Sequence, residues 1–361
     1  MTLSRPLLLL SVLLLIKAAL LILFILKGPV GLGPDEAQYW TWSQQLDWGY
    51  YSKPPGIAWQ IGLGTALFGD TELGVRFFAV IAGSLLPFAL YLLAKSCKFT
   101  SQTAFWSALL FAMAPFGMAA SFLAITDTVM VLAWTLALAL LASSLTHETP
   151  PRYLLMGLVI AVGALFKWPI YLLWCFIIGM LPIFSFLRRY SLVVGILISF
   201  VGLVPSYLWN HTHDWATFRH VFHQVEGSPL AAEHRLGVFQ GNFFEFIGSQ
   251  IALLSPLLFL AFGYSLWRFI SAPKQLPRPA LFLGSITLFI FGGFLFLSMF
   301  KKVQGNWGDF AYPSGIVFTA WIFCEQRSNW RRWLSISAVA SVLILLAMLA
   351  IPSLQSHSIG N

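Results

Sequence analysis

The sequence predicts an all-α integral membrane protein with about eleven transmembrane helices and two long extracytoplasmic loops. Three observations carry this reading. Hydrophobic residues make up 58% of the 361 and charged residues only 9%, where a soluble domain carries about 25% charge; the mean hydropathy is +0.81. The apolar runs are long and continuous, near the roughly 20 residues that a helix needs to cross a bilayer. They also lack the apolar–polar alternation of a membrane barrel, which leaves helices as the way to satisfy backbone groups inside lipid.

The first span is read at 7–27. Arg5 ahead of a Leu-rich run has the look of a secretory leader, but the run is long, Lys17 interrupts it, and no small-residue cleavage site follows. Lys17 falls near the middle of this span and should face the bundle interior, with no counter-charge evident from sequence. The next spans are 73–94, 103–119, 122–142, 153–166, 169–187, 191–209, 247–267, 280–300, 310–325 and 333–351. They form one polytopic domain over 1–351, followed by a short extracytoplasmic tail at 352–361. Two connections, 28–72 and 210–246, are too long to be turns and are rich in Trp, Tyr, Phe, His, Pro and Gly. With eleven spans they share one face with 120–121, 167–168, 301–309 and the C-terminus.

Charge gives the bundle a direction. Of 21 basic residues, 12 fall on the N-terminal side, against two acids, Glu148 and Glu325. The other side and its membrane margin hold eight basic residues and 11 of the 13 acids. The positive-inside rule then puts the N-terminus in the cytoplasm and the long loops outside. The net charge of +8 thus reads as topology and not as a nucleic-acid surface. Cys97, Cys175 and Cys324 have no metal-ligand or pairing pattern and are expected as free thiols. No internal repeat supports a transporter built from repeated halves. No P-loop or dinucleotide fingerprint is present either, so energy for any chemistry must arrive in the substrate.

The residues able to do chemistry gather at the outer face. Pro34-Asp35-Glu36 opens a helix, where carboxylates suit the positive end of the dipole; beside the first span among aromatic residues, the same acids suit a base. Lys53 precedes Pro54-Pro55, which stiffen the backbone that presents it; it reads as a snorkelling lysine or as an anion contact. Asp127, in Thr126-Asp127-Thr128, is either a helix cap or a buried functional acid. Lys167, in Phe166-Lys167-Trp168-Pro169, leaves snorkelling and phosphate binding open. In the second long loop, His220 and His223 are three apart and can share a helix face. They are the candidates for a divalent metal, although no carboxylate stands at a diagnostic spacing; the other reading has them facing solvent or acceptor. Lys301-Lys302-Val303-Gln304-Gly305-Asn306-Trp307 reads as an interfacial anchor or a substrate contact.

Taken in order, Pro34-Asp35-Glu36, Lys53-Pro54-Pro55, Gly74-Val75-Arg76-Phe77, Thr126-Asp127 and Phe166-Lys167 resemble the polyprenyl-phosphate-dependent membrane glycosyltransferases. This group contains the protein O-mannosyltransferases, the aminoarabinose lipid A transferases and the lipopolysaccharide-core galacturonosyl transferases. The resemblance runs from the N-terminus to about residue 320. It implies a GT-C-like fold in a bacterial inner membrane. It also implies a sugar on a polyprenyl phosphate as donor and a lipid, glycan or protein acceptor of the cell envelope. Asp35 would be the base or acceptor-orienting carboxylate, with Asp127 and Glu36 beside it. Lys53, Lys167 and Arg219 would hold the donor phosphate and stabilise its growing charge. Two departures stand out. Ser52 occupies the place of a metal-binding glutamate in the aminoarabinose branch, and the chain ends at Asn361, where relatives continue, as a minimal or truncated member would. A lipid-linked sugar flippase is the alternative from another class, and a non-catalytic scaffold is a third.

Overall fold

The computed structural model describes residues 4–28, 30–226, 241–326, 335–340 and 343. Every regular element among them is helical. α1, Arg5–Lys27, buries Leu10, Leu14, Lys17, Leu21 and Ile25 and leaves Leu8, Leu15, Leu20 and Leu23 exposed. The buried positions recur at three- and four-residue steps, so one stripe meets the bundle and the rest of an apolar helix meets lipid.

α2 (Pro34–Ser43) and α3 (Gly56–Phe68) follow, then α4 (Glu72–Ser96), α5 (Ser101–Met113), α6 (Pro115–Phe122), α7 (Thr126–His147) and α8 (Tyr153–Ala164). α9 (Leu172–Met180), α10 (Tyr190–Ser199), α11 (Val204–Thr212) and α12 (Ala216–Glu226) come next. α13 (Phe243–Leu254), α14 (Pro256–Ser271), α15 (Arg278–Leu297) and α16 (Tyr312–Trp321) complete the set used below. α4 packs on α1, α3, α5 and α7, and all ten residues of α16 are buried. α8 and α10 approach backbone to backbone: a Cβ on Gly157 would lie 2.3 Å from the Gly195 carbonyl oxygen. Small residues permit such contacts between membrane helices.

Among the described residues five helical stretches are long and apolar enough to cross a bilayer: α1, α4, α7, Tyr190–Thr212 and α15. Two bent pairs, α5 with α6 at 69° and α13 with α14 at 111°, raise this to seven if each counts as one crossing. The sequence expectation of about eleven is higher than this count of long helices, which leaves out the shorter apolar helices Gly56–Phe68, Tyr153–Ala164 and Trp168–Met180. α8 has 12 residues, about 18 Å of helix against a hydrocarbon core of about 30 Å. The run expected at 247–267 turns sharply at Ser255, whose φ of 72° is unusual for a residue with a side chain. The last expected span, 333–351, lies mostly outside the described residues, as does the 352–361 tail.

The two long connections also differ from the expected loops. Residues 28–72 contain α2 and α3, and residues 210–226 hold the end of α11 and all of α12; residues 227–240 lie outside the described set. These helices are short, and α2 and α12 are amphipathic or aromatic-rich, so hydropathy passes over them.

Lys17 finds oxygen acceptors instead of a counter-charge. Its ammonium donates to Ala112 O at 2.8 Å, Gly117 O at 3.3 Å and Ser121 Oγ at 3.0 Å. Pro115 breaks the α5–α6 run, and Lys17 donates to oxygens on both sides of that break, Ala112 O before it and Gly117 O and Ser121 Oγ after it.

Candidate active site at one end of the bundle

The C-terminal ends of α1 and α8 and the N-terminal ends of α4, α7 and α16 meet at one end of the bundle, where α2 lies. Pro34 opens α2 and places Asp35 and Glu36 in its first turn. Their side chains diverge. Glu36 is buried and accepts from Gly33 N at 3.0 Å and Ala124 N at 3.0 Å. Arg76 of α4 grips the same carboxylate, Nε to Oε1 at 2.9 Å and Nη2 to Oε2 at 2.6 Å. Arg76 also donates to Val30 O and Gly31 O and stacks over the Phe122 ring, 4.4 Å from its centroid. Glu36 therefore fixes α2 to α4 and to the turn before α7, and leaves Asp35 on the open side of the helix.

Asp35 faces a cavity of about 310 Å³ lined by Gln38, Tyr39, Tyr51, Lys53, His220 and Gln304, with Ser52 at its wall. Lys53 is held by the backbone on both sides. Tyr50 N donates to Lys53 O at 3.2 Å, and Gly56 N donates to Leu165 O at 2.8 Å. A Cβ on Gly56 would sit 2.6 Å from that same oxygen, so only glycine allows α3 to start against the end of α8. Thr217 Oγ1 donates to Tyr50 O at 2.7 Å and docks α12, which brings the His220 ring 4.8 Å from that of Tyr51. Burial and the Lys167 charge pull the Lys53 ammonium below the usual lysine range, against the opposing pull of Asp127 and Asp35. Burial, then the Lys53 and His223 charges, lowers His220 likewise. Burial and the Asp35 and Asp127 charges raise the Tyr39 phenol, which stays neutral.

Beneath this cavity lies a second polar cluster. Lys167 follows the end of α8, its N–H closing on Gly163 O at 3.0 Å before Pro169 starts a new turn. Its ammonium pairs with Asp127 in the first turn of α7 and reaches Asn306 O at 3.5 Å. Asp127 also accepts from Asn306 Nδ2 at 3.4 Å and from Thr126 Oγ1 at 3.2 Å. Asp309, in the turn Gly305–Ala311, lies within hydrogen-bonding reach of Asp127 and is wholly buried. Sequence reasoning passed over Asp309; the signal available was a lone acid entering an apolar run at Phe310.

The structure thus gathers Asp35, Lys53 and His220 around one cavity and joins Asp127 to Lys167 next to it. Arg219 and His223 are exposed on α12 and do not line the cavity. Among the described residues no group of three or more His, Cys, Asp or Glu side chains is disposed to hold a metal. With Ser52 where a carboxylate donor would be needed, the residues here do not fit the metal site of the aminoarabinose branch.

Residues 52–209 match the family described as dolichyl-phosphate-mannose-protein mannosyltransferase, a segment that includes Lys53, Arg76, Asp127 and Lys167. The chain is 26% identical over 320 residues to the lipid A galacturonosyltransferase RgtD of Rhizobium johnstonii, covering 87% of this chain and 65% of that protein. It is 37% identical over 111 residues to the undecaprenyl phosphate-alpha-4-amino-4-deoxy-L-arabinose arabinosyl transferase of Pseudomonas savastanoi, covering 27% of this chain and 21% of that enzyme. The chain thus spans less than two thirds of the length of these relatives. The crystal structure of ArnT from Cupriavidus metallidurans bound to undecaprenyl phosphate superposes with a TM-score of 0.70 at 20% identity, over 96% of this chain and 66% of that one. In fold this chain is similar to ArnT over 96% of its length, and in sequence it resembles the polyprenyl-phosphate-dependent glycosyltransferases.

Proposed function

We propose that the protein transfers a sugar from a polyprenyl-phosphate donor to an envelope acceptor, lipid A or another lipid, glycan or protein, at the extracytoplasmic face of a bacterial inner membrane. The observation that carries this reading is the shared cavity of Asp35 and Lys53, an exposed carboxylate and a half-buried ammonium in one wall. In the proposed reaction Asp35 takes the proton of the acceptor hydroxyl. The acceptor oxygen bonds to the sugar's anomeric carbon as the bond from that carbon to the phosphate oxygen breaks. Polyprenyl phosphate leaves with the bonding electron pair. Lys53 and Lys167 stabilise the charge that grows on it, an effect that is strong in a site shielded from water. Asp127 orients Lys167, Glu36 holds α2 in place, and Arg219 lies at the rim. The relatives' names, a lipid A galacturonosyltransferase and an arabinosyl transferase of a lipid-phosphate sugar, support this class of donor. So does the charge count, with 12 of the 21 basic residues on the N-terminal side, which favours a cavity on the side where envelope acceptors lie.

The flippase alternative needs functional polar groups through the bilayer depth, and Lys17, the charge near the middle of the first span, is engaged by the α5–α6 break. Purified protein in vesicles, supplied with a labelled polyprenyl-phosphate sugar and lipid A, tests the reading. Labelled lipid A with release of polyprenyl phosphate supports transfer, and movement of label across the bilayer without product supports transport.

A further inference from the structure

The cluster beneath the cavity holds two carboxyl groups, Asp127 and Asp309, and the proposed reaction uses only the first. Asp309 is fully buried, and among the described residues no side chain donates to either of its oxygens. A buried carboxylate without donors is costly. The turn Gly305–Ala311 is pinned by Gln250 Nε2 on Gly305 O at 2.9 Å, and the Phe310 ring packs edge-on against Trp134 at 4.8 Å and Phe294 at 6.1 Å. From α16, Tyr312 spends its hydroxyl on Gln250 Oε1 at 2.6 Å, so it offers Asp309 nothing.

What does lie within reach is the Asp127 carboxyl. Two ionised carboxylates in contact repel, and such a pair retains one proton between them. The contacts say which group keeps it. Asp127 accepts from Lys167, Asn306 and Thr126, a set suited to an anion, and Asp309 accepts from none of them. Charge balance agrees. Within the cavity and the cluster the cations are Lys53 and Lys167 and the acids are Asp35, Asp127 and Asp309, while Arg76 is paired with Glu36 and Arg219, Lys301 and Lys302 do not line the cavity; with one proton retained these five groups are neutral. With none retained they carry an extra negative charge next to where a phosphate must bind.

We propose that Asp309 is a protonated positioning residue that donates its carboxyl hydrogen to Asp127, fixing the Asp127–Lys167 pair and keeping the donor-phosphate site free of a second uncompensated anion. This rests on the proposed transfer reaction for its consequence, but not for the protonation itself. Asp309 touches no reacting atom; it acts through Asp127 and Lys167.

The test compares the purified wild type with Asp309→Asn and Asp309→Ala. The infrared spectrum at neutral pH gives a readout independent of activity. A protonated-carboxyl C=O stretch present in the wild type and missing from Asp309→Asn is expected, and the same spectrum in both proteins overturns the protonation. In the transfer assay, the asparagine amide still donates to Asp127, so Asp309→Asn should keep the donor KM within about threefold. Asp309→Ala, which removes the donor, should raise that KM at least about tenfold with kcat changed less. Equal impairment of the two variants overturns the proposal, because it would mean that the residue acts as an anion. Loss of transfer in the wild type, with the infrared band intact, would remove the transferase reading and leave the protonated Asp309 standing.

Discussion

Arg76 donates twice to Glu36, at 2.9 and 2.6 Å, with both side chains 2% exposed or less. Breaking a buried pair strands the remaining charge, a cost of about 3–5 kcal/mol. Arg76→Ala and Glu36→Ala should each lower the thermal unfolding midpoint in detergent and abolish transfer, because the loss frees the start of α2 and with it Asp35. The double substitution should be less destabilising than the two single effects combined, a non-additivity expected of contacting residues. A stable, fully active Arg76→Ala would deny the pair its role in holding α2.

Lys17→Met removes three hydrogen bonds at the α5–α6 break and leaves the Ala112 carbonyl oxygen without its donor. Each such loss costs about 1–3 kcal/mol. Thermal unfolding should show clear destabilisation, while the donor KM at low temperature stays at the wild-type value. A changed KM with unchanged stability would return Lys17 to the list of functional residues.

Lys53 provides the pH dependence. Its ammonium lies below the usual lysine range through burial and the Lys167 charge. The cation that binds phosphate is present at pH values under that lowered pKa and is lost as pH rises through it. The ratio kcat/KM for the donor should therefore fall at a pH below the ordinary lysine value of about 10.4. Lys53→Arg, charged throughout, should flatten that limb. Identical alkaline limbs in both proteins would assign the titration to another group.

Gly56→Ala tests the alignment of the two lysines. The added Cβ would meet Leu165 O at 2.6 Å and Phe166 Cδ2 at 2.8 Å, pushing the start of α3 from the end of α8. A misplacement on this scale costs on the order of a hundredfold in rate. Wild-type turnover in a well-folded Gly56→Ala would show that the contact does not set the site.

The lysines and Asp35 were legible in the sequence because charges and prolines are conspicuous against apolar runs. Lys53 stands before Pro54-Pro55, and Lys167 stands two residues before Pro169. Helical class was legible from hydropathy alone. The bends at Ser255 and Ala114 were not, because they break runs whose composition is continuous; the markers were Pro256 and Pro115. The start of α2 was legible from Pro34-Asp35-Glu36 and the turn of α12 from the spacing of His220 and His223, while α3 was not, because its 13 residues are too short for a span signal. The acceptors of Lys17 are mostly backbone carbonyls, which no residue type announces. Glu36 and Asp35 are adjacent in sequence, and only the position of Arg76 separates a structural carboxylate from the one that faces the cavity.

The most direct test of the account is transfer of a labelled sugar from polyprenyl phosphate to lipid A by purified wild type and Asp35→Asn, with binding of polyprenyl phosphate measured alongside. The account predicts that Asp35→Asn binds the lipid phosphate as the wild type does and loses roughly a hundredfold or more in kcat, the scale of a general base. Undiminished transfer by Asp35→Asn would contradict it.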